Sequence, residues 1–95
     1  MSDKKAYEEK QHAKLAEWRA EIDKLKAKAN QASATMKIEY ERRIVDLQEK
    51  MVIAEAKLDM LRTASEDAWD DIKQGLESAI HDVGEGFKAA AKFKH

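Results

Sequence analysis

The 95-residue chain has no cysteine and no proline, only three glycines, and only two each of tryptophan, tyrosine and phenylalanine. Without cysteine there are no disulfides, no zinc–thiolate sites and no thiol catalysis. The redox compartment stays open by that criterion. Without proline, and with sixteen alanines beside a 39% charged fraction, the composition is that of long helices and coiled coils. An all-α fold is therefore expected. Low mean hydropathy also suits disorder, but a net charge of only −1 and a sustained apolar periodicity favour a folded helix.

Long apolar runs are missing too. The opening MSDKKAYEEK has no such run behind its lysines, so it reads as neither a secretory signal nor a membrane anchor, and the expected location is cytoplasmic. Charge of one sign is absent in total but not locally. Met1 to Met36 carries eight basic and six acidic residues, Lys37 to Ala64 six of each, Ser65 to Gly86 seven acids against Lys73, and Phe87 to His95 three lysines and no acid. That gradient suits pairing of like chains, and equally a solvated charged face.

What is present is a stripe. Leu15, Trp18, Ile22, Leu25, Ala29, Ala32 and Met36 step by alternating threes and fours, the spacing of a left-handed coiled-coil seam. The stripe continues through Tyr40, Ile44, Leu47, Met51, Ala54, Leu58 and Leu61, with a stutter of four plus four at Met36–Tyr40–Ile44. Val45 and Val52 lie beside it and Ile38 nearby, so the middle segment has a wider apolar face, able to touch more than one helix. After Leu61 the seam position is Ser65. Thr63 with Glu66 fits a capping box, and Ser65 followed by Glu66 and Asp67 fits an N-cap with acids in its first turn. Both place a turn at about 63–67.

Beyond the turn, AWDDIKQGLES and AIHDVGEGFKA read as one eleven-residue phrase repeated. Trp69, Ile72, Leu76, Ile80, Val83, Phe87 and Ala91 form its stripe, and eleven residues close almost three helical turns, which keeps the stripe straight. Gly84 and Gly86 predict fraying or a kink at 84–86, each costing about 1 kcal/mol relative to alanine. The weaker alternative is that these glycines admit another backbone.

The expected architecture is a helical hairpin that self-associates as an antiparallel coiled coil: a long helix over about 3–62 returning on a second over about 68–92, in a single helical domain, 1–95. The alternative is a three-helix bundle, with a further corner in the uncharged NQASAT at Asn30–Thr35. In the hairpin the first helix would be ~90 Å long and the second ~40 Å, leaving Trp18, Ile22 and Leu25 uncovered unless another chain shields them. A homodimer or tetramer follows, with Leu15, Trp18, Ile22, Leu25, Met36, Tyr40, Ile44, Leu47, Met51, Leu58 and Leu61 as its seam.

Chemistry is not visible. His12, His81 and His95 are scattered; Glu77, His81 and Glu85 stand four apart, but the carboxylate di-iron spacing needs glutamate and histidine three apart, and position 78 is a serine. There is no phosphate loop and no nucleophile elbow. Ser33, Ser65 and Ser78 have helix-cap or small-residue explanations, and adjacent Asp70 and Asp71 point apart on a helix. No metal, cofactor, small-molecule substrate or enzymatic activity is expected. Nucleic-acid binding is disfavoured because basic residues alternate with acids at i,i+4 spacing: Arg19 with Asp23, Glu39 with Arg43, Arg42 with Asp46, Asp46 with Lys50.

The opening MSDKKAYEEK, the block LAEWRAEIDKLKAKA, the KIEYERRI segment and ASEDAWDDIKQGLESA resemble a family of small cytosolic bacterial coiled-coil stress-response proteins. The resemblance implies a stress-related structural or scaffolding role and carries over no catalytic or cofactor residues. The glycines of IHDVGEGF depart from the family pattern. Two rival functions stand beside it. One is a peripheral lipid-surface protein that lays the Trp69 to Phe93 segment on a membrane, favoured by Trp69, Phe87 and Phe93 and opposed by the seven acids. The other is a chaperone-like adaptor offering a helical groove.

Overall fold

The structure is a computed structural model that describes residues 2–93. It contains three helices: α1, Ser2–Gln31; α2, Ala34–Arg62; and α3, Glu66–Phe93. The all-α class is shown, and the arrangement is the three-helix bundle. The continuous helix expected over 3–62 is corrected by a break at Ala32–Ser33. Ser33 has extended backbone (φ −63°, ψ 164°), and its hydroxyl accepts from the Met36 amide at 3.4 Å. Its carbonyl accepts from Lys37 N–H at 2.8 Å and so starts α2. This is an ordinary N-cap, worth about 1 kcal/mol. The heptad steps run through Ala29, Ala32 and Met36 because both helices turn their stripes to the same core, and periodicity does not register a reversal between them.

The second turn spans Thr63–Ser65, and Ser65 rather than Thr63 caps α3, accepting from Ala68 N–H at 3.3 Å. Thr63 instead closes α2, its hydroxyl donating to the Met60 carbonyl at 3.4 Å. The kink expected at 84–86 is replaced by helix that continues through both glycines to Phe93.

Contacts set the topology. Arg19 of α1 pairs with Glu55 of α2, so these helices are antiparallel. Gly86 of α3 lies against Leu47 of α2, and Gly75 against Lys57, so the second pair is antiparallel as well. Lys4 meets Glu66, Tyr7 meets Trp69 and Trp18 meets Phe87, so α1 and α3 run the same way. The bundle measures 51 × 18 × 18 Å between Cα atoms, far short of the expected ~90 Å rod.

Its core unites Leu15, Ile22 and Leu25 with Ile44, Leu47, Met51, Leu58 and Leu61, and with Trp69, Leu76 and Val83. Leu15, Ile22 and Leu25 are only 3%, 4% and 8% exposed, with Trp18 packed against the core. The chain therefore shelters its own N-terminal seam. The argument that a second chain must cover this seam is overturned; self-association has to find another surface.

On α3 the buried seam also differs from the eleven-residue stripe. Trp69, Leu76, Ala79, Val83, Gly86 and Ala90 are buried, with Ile72 half-buried between Trp69 and Leu76, which is unbroken three-and-four spacing. Ile80 and Phe87 are half-buried beside it, and Ala91 is exposed. The missing side chain at Gly86 lets α3 lie close to Leu47 of α2.

Candidate interaction surface

Helix α2 has two apolar faces. The inner one buries Ile44, Leu47, Met51, Ala54, Leu58 and Leu61. At about 100° per residue, Ile38, Val45, Val52, Ile53 and Met60 fall on the opposite side. These five are 52–63% exposed and are the large hydrophobic residues left in water among the described residues. Ile38 and Met60 are twenty-two steps apart, a stripe ~33 Å long. Scattered exposed apolar residues need no explanation, but five on one helix face form a patch of the kind that marks an interaction site.

The stripe has heptad order of its own. Ile38, Arg42, Val45, Glu49, Val52 and Ala56 step by four, three, four, three and four. Two of these seam positions are charged, and they are opposite in sign. Arg42 is largely exposed and donates to Glu39 at 3.3 Å. Glu49 is exposed and has no ion-pair partner among the described residues. Glu41 and Asp46 flank the stripe, both exposed.

A different surface lies between α1 and α3. No Cα of one comes within 8 Å of the other, because aromatic side chains fill the space. Tyr7 meets Trp69 edge-on at 5.7 Å, and Trp18 stacks on Phe87 at 5.8 Å between centroids. Lys4 and Lys73 sit over the Trp69 ring at 5.3 and 5.5 Å, and Lys73 also over Tyr7 at 4.8 Å. The buried Trp69 N–H finds no acceptor among the described residues. Tyr7 donates its hydroxyl to Glu77 at 3.1 Å; burial, then the hydrogen bond and charge of that carboxylate, push the phenol up to about 12. Further along, Trp18, Leu25, Phe87, Ala90 and Ala91 line an open hollow of about 300 Å³.

The expected seam residues divide accordingly. Leu15, Ile22, Leu25, Ile44, Leu47, Met51, Leu58, Leu61, Trp69, Leu76 and Val83 meet in the core, while Trp18, Met36, Tyr40, Ile72, Ile80 and Phe87 are half-buried around it. All of them pack in or around the interior of the single chain. Sequence reasoning missed Gln11, buried at 8% exposure, and Tyr7, which continue the α1 stripe backwards from Leu15 by fours. It also passed over Ala79 and Ala90, small residues whose only signal was their three-and-four spacing, and it held the close approach now seen at Gly86 only as the weaker alternative to a kink.

Among the expected ion pairs, Asp46–Lys50 forms at 3.0 Å. Arg19 reaches across to Glu55 instead of Asp23, and Arg42 turns back to Glu39 instead of forward to Asp46. His12 and His81 are exposed, His95 lies outside the described residues, and among the described residues no three metal-ligating side chains come together. No described helix is long and apolar enough to cross a membrane. No family model, no curated protein and no solved structure matches this chain.

Proposed function

We propose that this protein is a non-enzymatic helical module that works through protein–protein contact, first of all between copies of itself, in a structural or scaffolding role. The observation that supports it is the outer stripe of α2, five large hydrophobic side chains more than half exposed on a helix whose other side is already packed. Burying a side chain of this size contributes about 1.5–3 kcal/mol, so the stripe is a standing drive toward association. Its heptad spacing suits a helix as the covering element. A stress-related setting and a cytoplasmic location come from the resemblance and the N-terminal sequence alone.

The lipid-surface alternative gains no comparable support. Its stripe on α3 faces inward, with Trp69, Leu76 and Val83 buried, so the bundle would have to open before membrane contact. Sedimentation of the full chain from micromolar to hundreds of micromolar tests the proposal. A concentration-dependent dimer or tetramer is expected, lost in Val52→Asp without change in helicity or melting; a monomer throughout would refute self-association.

A further inference from the structure

The two charges on the outer stripe select one way of covering it. Resting on the self-association proposed above, we infer that two copies pair through α2 in antiparallel orientation about a twofold axis near Val45 and Asp46, each Arg42 meeting Glu49 of the second copy.

Arg42 and Glu49 are seven residues apart on one seam, so they point the same way off the helix. In a parallel pair, Arg42 would face Arg42 and Glu49 would face Glu49. Both contacts are repulsive and sit in the middle of the apolar contact. In an antiparallel pair centred between them, each arginine comes level with a glutamate, and the contact repeats because a twofold interface uses one patch twice. The same register brings Ile38 level with Ile53 of the second copy and Val45 next to its own mate, while Val52 comes level with Glu39 and Met60 lies beyond the overlap.

The alternatives fit less well. Exposed Glu41, Asp46 and Glu49 on or beside the stripe repel an anionic lipid surface. A second copy supplies both the missing apolar cover and a cation for Glu49, which lacks one among the described residues. Arg42 gives up only an exposed bond to Glu39 to do so. Exposed pairs of that kind contribute little. A single helix pair ~33 Å long is at the small end of stable interfaces, so a dimer that half-dissociates at micromolar concentration is expected.

Charge reversal in the full chain, read by sedimentation equilibrium, tests the register. Arg42→Glu and Glu49→Arg should each weaken the dimer roughly tenfold or more, and the double variant should recover most of that loss, because two repulsive contacts become attractive again. Melting curves of each variant check that the monomer is intact. The natural absence of cysteine adds an independent reading of orientation. Under mild oxidation Val45→Cys should form a disulfide-linked dimer, Ile38→Cys should not, and the double variant Ile38→Cys/Ile53→Cys should.

A wild-type dimer indifferent to both charge reversals, or linked through Ile38→Cys alone, would overturn the antiparallel register while leaving self-association standing. A wild-type chain that stays monomeric would remove self-association itself, and with it this inference.

Discussion

Gly86 and Leu47 are in contact across the α2–α3 interface so closely that a β-carbon at position 86 would lie 2.8 Å from Leu47 Cδ2. Leu47 is 1% exposed and has little freedom to retreat. Gly84, two residues away, has only Trp18 Cζ2 at 3.9 Å, and Gly75 only the flexible Lys57 chain from 3.6 Å outward. Alanine should therefore act in opposite directions at these sites. Gly75→Ala and Gly84→Ala should stabilise by about 0.5–1 kcal/mol, the helix-propensity gain. Gly86→Ala should lose about 1–2 kcal/mol net, because overpacking outweighs that gain. Urea denaturation of the three variants checks it, and a Gly86→Ala protein as stable as Gly84→Ala would show that α3 is not seated on Leu47.

The two faces of α2 should respond differently to truncation. Leu47→Ala or Leu58→Ala leaves a cavity in a packed interior and should cost about 2–5 kcal/mol. Ile53→Ala, at 52% exposure, should stay within about 0.5 kcal/mol for the monomer. Measured at concentrations below dimer formation, equal losses on the two faces would contradict the assignment of inside and outside.

Tyr7 should be slow to lose its proton. The chain has a second tyrosine, so the titration is best followed by tyrosinate absorbance in Tyr40→Phe. The folded phenol should titrate near 12 and return to its ordinary 10.0 on unfolding in denaturant. The sign follows from proton binding. Between about 10 and 12 the folded chain keeps a proton that the unfolded chain has lost, so stability falls as pH rises through that window. Below 10 this contribution is fully present. Tyr7→Phe should lack this alkaline loss, and an ordinary titration midpoint in the folded protein would mean that Glu77 and Tyr7 are not joined.

Ser33 is what separates α1 from α2 locally. Ser33→Ala should destabilise by about 1 kcal/mol, and Ser33→Asp should be nearly neutral because a carboxylate caps as well. Ser65→Ala should behave alike at the start of α3. Amide exchange can localise the effect: faster exchange at Met36 and Lys37 is expected for the first variant, and at Ala68 for the second.

Most of the helical content was legible from alanine, charge and apolar spacing, and so was the turn at 63–65, where serine and two acids sit beside a polar seam position. The corner at Ala32–Ser33 was not decided by spacing. Ala29, Ala32 and Met36 keep heptad register across it, and only the loss of charge in NQASAT and one cap-competent serine marked it. An N-cap involves one side chain and two amides, whereas periodicity pools many residues, so the pooled signal prevailed over the local one. Gly86 was misread for a related reason: a glycine's cost to a helix is visible in sequence, while the close approach it permits depends on Leu47, thirty-nine positions away. The exposed stripe was half legible. Ile38, Val45 and Val52 signalled a wide apolar face, but only the fold shows that α1 and α3 both pack on the other side.

Three is an odd number of passes. Because α1 and α3 run the same way, α1 sets out from one end of the bundle and α3 finishes at the other, along a body 51 Å in extent. A hairpin would have returned both ends to one place. Here anything joined to either end is held apart by the length of the body between.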